Sequence, residues 1–487
     1  MKGFDEEYDV VVIGAGIGGL VCGAYLAKNG KRVKILEQHY VPGGCCSSFS
    51  RKGFLFDAGV VHVAGGKESG AFQRVLSALD MEDEIEFREQ HLRFVFPDVH
   101  LDSTRDLKEL PRKFQEMFPQ EGEGIAGLFG TIQAIYEDVK KLPTISPLLA
   151  RYKERSFEDL VKDYTHNPTL TALVNANWHL WSPPWNNSAV DYASLLVTEQ
   201  IRGYFYPMGG VQVIPDALVG ALKGYGGEIE FKTLVDKIVI DEGRAVGVTT
   251  RKGKRIRARQ VVSNMAVLPT LFDLVGQAYL PPDYVEGVKK LEMSLSSFYV
   301  YLGVNMDPRD GGIEKPETIV YESYDNRMEW NRLLSGQISI PCYGIAVPSL
   351  LDPGLAPAGK HVVIIMTMAP YHLKGTSWKA EKEGMTRMLI TKGEKLIPDL
   401  SKHIEVLDSA SPLTYERYTL NSFGAAEGWA FSPSMFLKRV PQQTPIENLY
   451  LAGHWTQPGG SVPGVAVSGL KAARAILSVT GTPGTDS

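Results

Sequence analysis

The sequence predicts an α/β protein: a Rossmann-like nucleotide-binding domain with a second, α+β domain inserted into it. Three observations carry that reading. A β-branched run, Tyr8-Asp-Val-Val-Val-Ile13, leads into a glycine-rich turn and an apolar helical stretch. A second strand, glycine-rich loop and helix stand far away, from Asn448 to beyond Val465. Between them, from Asp80 to Arg202, the apolar spacing is that of helices. At 487 residues the chain exceeds the length at which one core keeps growing, so two domains are expected.

The first element reads as a buried parallel strand, because its apolar residues run on without alternation. Gly14, Gly16 and Gly19 then make G-x-G-x-x-G, with Ala15, Ile17 and Gly18 between them. Leu20 to Asn29 has helical spacing, Gly30 stops it, and Arg32 to Glu37 reads as the next strand. In such a unit the first glycine permits the tight turn, the second lets backbone approach a pyrophosphate, and the third lets the helix pack on the strand. The helix start adds unpaired N–H groups and a partial positive charge for an anion. Glu37, with Gln38 beside it, ends the second strand about 20 residues on, where a carboxylate accepts from ribose hydroxyls and disfavours a 2′-phosphate. A glycine turn without a ligand is the competing reading, and the strand, helix, second strand and acid in register weigh against it.

Farther along, Leu107 to Phe118, Leu128 to Leu142 and Phe157 to Asn175 are expected helices that cap the sheet domain. Trp178, His179, Trp181, Trp185, Tyr192, Tyr204, Phe205 and Tyr206 follow. Singly they read as core; as a group they would line a large apolar pocket. Glu230 to Ile238 and Gln260 to Asn264 read as strands. Gly224-Tyr-Gly-Gly227 follows no strand pattern, so no second dinucleotide unit is expected and any electron donor or acceptor binds in another way.

Composition narrows the function. A net charge of −5, from 51 basic and 56 acidic residues, excludes the basic excess that nucleic acid demands. Asp5, Glu6, Glu7 and Asp9 give the wrong charge for a secretory leader, and Val10 to Leu26 is broken by glycines, so neither a signal peptide nor a membrane-spanning helix is expected. Four cysteines without CxxC spacing point to a reducing cytoplasm, with adjacent Cys45 and Cys46 as small buried side chains. His39, His62 and His454 have no ligand spacing, so no metal is assigned.

Val41-Pro-Gly-Gly44 and Phe54-Leu-Phe-Asp57-Ala-Gly59, coming after Glu37, resemble the FAD enzymes that include amine oxidases and phytoene desaturases. The resemblance implies FAD in a domain of glutathione-reductase type, with Gly43, Gly44 and Cys45 along the cofactor and the backbone near Val235 against the adenine. It implies a return strand ending at Asn264, and a second helix, after Gly453 and His454, whose start at Val462, Pro463, Gly464 and Val465 points at the flavin. Two positions depart from the pattern: Cys45 stands where many relatives have Arg, and His454 where many have an acid. Tyr204-Phe-Tyr-Pro-Met-Gly-Gly210 and Pro458-Gly-Gly-Ser-Val-Pro-Gly464 are similar to segments of the phytoene desaturase, carotenoid isomerase and retinol saturase group.

That likeness implies a discontinuous FAD-binding domain of residues 1–80, 205–275 and 440–487, and a substrate-binding domain with a helical cap from 81–204 and 276–439. It implies redox chemistry on carbon–carbon bonds of a long polyene or isoprenoid, whether desaturation, saturation or isomerisation. An apolar small molecule is the expected partner, with peripheral membrane contact. Glu199, Arg202, Tyr206 and Trp429 are the catalytic candidates, against a packing or surface role for each. Two alternatives stand: a flavin amine oxidase, and a flavin-free prenyl-lipid binder of the Rab GDP-dissociation inhibitor type.

Overall fold

The strand expected at the N-terminus lies in the middle of a sheet. In this computed structural model, which describes residues 3–66, 70–180 and 182–479 without the side chains at 180 and 199–201, five parallel strands run side by side. Their order is β10 (Glu228–Glu230), β2 (Val33–Leu36), β1 (Glu6–Ile13), β13 (Arg255–Ser263) and β19 (Leu449–Leu451). β13 divides its far edge between two neighbours. Val261 to Ser263 pair with β19, and Arg255 to Arg257 pair antiparallel with β12 (Arg244–Thr250), which carries β11 (Val235–Asp241) beyond it.

Successive side chains of a strand face opposite ways. Val10 and Val12 accordingly enter the core formed with α1 (Ile17–Lys28) and the C-terminal helix Val462–Val479, while Val11 and Ile13 enter a second core with Leu271, Trp429 and Trp455. Covering on both faces is why the strand has no polar alternation. The expected strand from Glu230 to Ile238 is two strands, β10 and β11: Lys232 takes a positive φ of 55° and breaks the run between them.

A second, seven-stranded sheet is ordered β18 (Ile404–Ala410), β14 (Ser296–Val304), β17 (His361–Ala369), β16 (Tyr343–Ala346), β15 (Glu317–Val320), β7 (Leu92–Val95) and β8 (His100–Asp102). Only β15 and β7 pair in parallel. Val300, Leu302 and Ile365 pack under the helix Trp378–Gly393; Tyr301, Ile364 and Met366 face the other way, toward the hairpin of β3 (Ser48–Arg51) and β4 (Phe54–Asp57). β5 (Val63–Ala64), β9 (Tyr204–Pro207) and β6 (Phe87–Gln90) form a small sheet that joins strands from both sides of the boundaries expected at 80/81 and 204/205.

The helical region contains α2 (Ala71–Ala78), α3 (Glu109–Met117), α4 (Gly122–Val139), α5 (Pro147–Tyr152), α6 (Phe157–Lys162), α7 (Pro168–Val174), α8 (Ala189–Arg202) and α9 (Val213–Gly224). The helix expected from Phe157 to Asn175 is broken after Lys162. Pro168 keeps its predecessor out of helical geometry, and Asn167 caps α7 by accepting from the Thr169 and Leu170 amides. Among the described residues one helix, Val462–Val479, is long and apolar enough to cross a membrane by length and composition. It packs against α1 and α2, and small residues such as Gly469 and Ala473, which let it pack there, are part of its apolar composition.

Candidate functional site

The parallel strands end together, and the chain turns at each end. After β1, Gly14 has a φ of +93°, a conformation that disfavours any residue with a Cβ. Its amide donates to the Leu36 carbonyl at 2.8 Å, the Asn264 amide donates to the Ile13 carbonyl, and the Ala452 amide donates to the Ser263 carbonyl. The ends of β1, β2, β13 and β19 are thereby tied into one rim, the place where open parallel sheets bind ligands.

The glycines of the turn divide into two kinds. Gly14 and Gly16 line a cavity at this rim. Gly18 and Gly19 are needed for packing instead: a Cβ on Gly18 would lie 2.9 Å from the Gly453 nitrogen, and one on Gly19 only 2.2 Å from the Gly14 carbonyl oxygen. Gly469 closes the same contact from the C-terminal helix, its Cβ position being 2.2 Å from the Gly18 oxygen. Ala15 and Gly464, like Gly18 and Gly19, do not line the cavity; Ile17 does. Glu37 does too, while its carboxylate accepts from the Ala15 amide and the His39 amide, both at 2.7 Å. That carboxylate shapes the turn as well as facing the cavity.

Gln38, Gly43, Gly44, Cys45, Val235 and Asn264 line the same space. The Gly43 amide donates to the Ala15 carbonyl at 2.8 Å, which holds the second glycine loop against the first. Asn264 Oδ1 is buried without a hydrogen-bond partner, and a Cβ at Gly16 would meet the Asn264 Nδ2 at 2.5 Å. Bare backbone at Gly14 and Gly16, with the Asn264 amide nitrogen as a donor beside it and a helix start behind it, fits a diphosphate.

Gly453, His454, Val462, Pro463 and Val465 line the cavity from the far segment. The His454 Nε2 lies 3.2 Å from Asn421 Oδ1, which also accepts from Trp455 Nε1 at 3.0 Å. Burial, with the Arg439 charge, pushes His454 down to about 4, so the imidazole is neutral near pH 7 and donates to the carboxamide oxygen. Burial pushes the Cys45 thiol up to about 11, and all four cysteines are free. Among the described residues no group of three or more His, Cys, Asp or Glu is arranged to hold a metal.

The catalytic candidates fare differently. Tyr206 is fully buried away from the cavity, its hydroxyl donated to Asp57 Oδ2 at 2.6 Å. Trp429 is fully buried, packs edge-on against Trp455 and donates to its carbonyl. Arg202 lies against Gly65 and does not reach the cavity. Glu199 is within α8, and its side chain lies outside the described residues. The aromatic stretch likewise packs into cores, with Trp178 against Tyr321 and Trp330; His179 is its member on the cavity wall, and Trp181 lies outside the described residues.

Sequence reasoning missed what the second sheet contributes. Tyr299, Tyr343, Met366 and Met368 form an apolar wall of the same cavity, with Tyr415 from the helix Pro412–Thr419. Glu427 lines it too, half-buried and accepting from the Ser461 backbone; burial pushes its carboxyl up to about 7. No motif marks these positions, because they become neighbours only through sheet packing.

A family model described as flavin containing amine oxidoreductase matches residues 17–477. The chloroplastic prolycopene isomerase of Daucus carota is 27% identical over 514 residues, covering 98% of this chain and 81% of that one. The all-trans-retinol 13,14-reductase of Homo sapiens is 28% identical, covering 92% and 82%. The crystal structure of an oxidoreductase from Methanosarcina mazei superposes with a TM-score of 0.70 at 20% identity, covering 97% of this chain and 99% of that one.

Proposed function

The chain belongs to the family of flavin-containing amine oxidoreductases, and from that membership we propose that it is an FAD-dependent oxidoreductase acting on carbon–carbon bonds of a long apolar polyene or isoprenoid. One observation carries the reading: a single cavity is bounded at once by the glycine-lined rim of the parallel sheet and by the apolar wall of the second sheet. A dinucleotide site open onto greasy, largely uncharged surface suits a substrate that has no polar centre to grip.

In this reading the backbone at Gly14, Gly16, Gly43 and Gly44 and the Asn264 carboxamide would hold the diphosphate. Glu37 and Gln38 would take the ribose, and Val235 the adenine. Cys45, Gly453, His454 and the helix start at Val462, Pro463 and Val465 would border the ring. FAD, when bound, supplies a two-electron acceptor or donor. The residues supply the rest: Tyr299, Tyr343, Met366 and Met368 exclude water and align the chain, while Glu427 holds a proton near neutrality at the mouth of the C-terminal helix. The domain division at residues 1–80, 205–275 and 440–487 belongs to this proposal. So does peripheral attachment to a membrane, where such substrates dissolve.

Amine oxidation is the second reading, supported by the edge-to-face pair of Tyr299 and Tyr415, 5.8 Å apart on the cavity wall, which offers ring faces to a cation. Prenyl-lipid binding without flavin has less support, because Gly14, Gly16 and Glu37 keep the rim open. The deciding experiment is to identify the cofactor from the absorbance of the purified protein and to assay oxidised and reduced forms with polyenes and with amines. Turnover of polyenes supports the proposal, turnover of amines alone replaces it with the second reading, and a protein that retains no FAD overturns it.

A further inference from the structure

A carboxyl and a guanidinium flank the loop that leads into the C-terminal helix. Glu427 is pinned by its backbone: the Ala426 amide donates to the Leu295 carbonyl at 3.0 Å, the Ser294 amide to the Gly428 carbonyl at 2.9 Å, and its own amide to Ser294 Oγ at 3.0 Å. Its side chain lines the cavity and lies over Gly460, where a Cβ would overlap Oε2. There it accepts from the Ser461 backbone, one residue before the helix start at Val462. Arg439 lies over the neighbouring Gly459, where a Cβ would stand 2.9 Å from Cζ. Its Nη1 and Nη2 are buried with no hydrogen-bond partner among the described residues, and the Phe431 ring covers the guanidinium at 4.2 Å. The bare glycines of Pro458-Gly-Gly460 are thus the space that one acid and one base occupy.

Arg439 is the ionic neighbour of Glu427. Cys45 and Tyr299 feel the Glu427 charge, but burial pushes both upward and leaves them neutral near pH 7. His454, against Gly428, is neutral there too. Asp191 is a second acid within the field of Arg439, and burial pushes its carboxyl up. Burial raises the Glu427 carboxyl to about 7, while the Ser461 backbone and the Arg439 charge favour its ionised form. A carboxyl balanced in this way changes its protonation when a charge beside it changes.

We propose that Glu427 is the proton partner of the flavin: it takes up a proton when the ring is reduced and releases it on reoxidation, with Arg439 as the counter-charge of its ionised form. This rests on the flavin reading above, which sets the ring against the start of the C-terminal helix. Two electrons and one proton leave the reduced ring with one negative charge, which the helix start favours. That charge raises the proton affinity of a carboxylate beside it, and a second proton passes from water to Glu427. Two electrons are then accompanied by two protons. The electrons come from the substrate in desaturation and from dithionite in the test.

The test is the midpoint potential of the flavin-loaded protein across about pH 5.5–9, poised with dithionite and indicator dyes. For each tenfold change in proton concentration, one proton per two electrons shifts the potential by about 30 mV and two protons by about 60 mV. Below about pH 7 Glu427 is protonated in both redox forms and adds nothing; above it the wild type should show the steeper slope. Glu427→Gln, which keeps an acceptor for Ser461, should stay on the shallower one. Arg439→Gln removes the charge that favours the carboxylate, so the onset of the steeper slope should move to higher pH. Equal slopes in wild type and Glu427→Gln overturn the proposal, as does a shallow wild-type slope throughout. If Glu427→Gln does not load flavin, Arg439→Gln decides, and an onset that stays in place overturns the proposal. A wild type that retains no flavin overturns the flavin reading and this proposal with it.

Discussion

The Tyr206 hydroxyl donates to Asp57 Oδ2 at 2.6 Å across a separation of 149 residues. The other carboxylate oxygen accepts from Ser48 Oγ at 2.7 Å and from the Val211 amide at 2.9 Å. Asp57 therefore ties together the β3–β4 hairpin, β9 and the turn that follows Pro207. Burial pushes its carboxyl up, and the three donors pull it down. This junction explains why both a Phe-Asp-Ala-Gly and a Tyr-Pro-x-Gly-Gly segment stand out in the sequence.

Tyr206→Phe should lower unfolding stability by about 1–2 kcal/mol through the lost buried hydrogen bond. Turnover per bound flavin should stay near the wild-type value. Chemical denaturation and steady-state rates measured together check this, and a hundredfold rate loss at unchanged stability would return Tyr206 to the chemistry.

Gly18→Ala should separate α1 from the Gly453 turn, since its Cβ would stand 2.9 Å from the Gly453 nitrogen. Overpacking of this kind costs about 1–3 kcal/mol. The visible absorbance per mole of protein should drop together with Tm. Full cofactor content at wild-type Tm would refute the close-approach argument.

Glu37→Ala removes the acceptor shared by the Ala15 and His39 amides. Charge-assisted bonds of this type contribute about 1.5–3 kcal/mol each, so FAD affinity should fall by at least about tenfold. Titration of the apoprotein by flavin fluorescence measures it. Glu37→Gln, which keeps one acceptor, should retain part of the affinity.

Three groups on the cavity wall contribute to the pH dependence of stability. His179 and His454 are pushed down from 6.5 to about 4, so between those values the unfolded chain binds protons that the folded one excludes, and their contribution grows as pH rises. Glu427 is pushed up from 4.5 to about 7, so there the folded protein holds a proton that the unfolded chain has released, and its contribution declines as pH rises. Each shift is worth up to about 3 kcal/mol. Glu427→Gln should therefore steepen the rise of Tm from pH 4.5 to 6.5, and His179→Phe should flatten it. Calorimetric scans across that range decide, and profiles parallel to the wild type would show that these groups do not titrate as argued.

Peripheral membrane attachment is tested by flotation with liposomes of neutral and of anionic lipid. Recovery with the lipid fraction is expected. Protein that stays at the bottom of the gradient with either lipid would remove the attachment from the proposal.

The elements legible in the chain were those whose cause is local. Val10 to Ile13 is apolar at every position because both faces are covered, and Gly14 stands where a positive φ admits no Cβ without strain. Glu37, Gly43, Gly44 and Gly453 followed from spacing or from family resemblance, and their side chains or backbone do line one cavity. Catalytic candidates chosen by proximity in sequence did not: Tyr206 and Trp429 point into packing. His62 and Glu317 meet across 255 residues because β15 brings the carboxylate to the loop before β5, and Glu427 gains its raised proton affinity from burial, against the opposing Ser461 backbone bond. Backbone conformation and hydrophobic period act over a few residues, so the sequence by itself determined the first strands, the glycine turn and the helix that follows it. Burial and pairing of charges depend on which strands the folded sheet makes neighbours, so only the tertiary structure decided where the ionisable groups of the cavity stand.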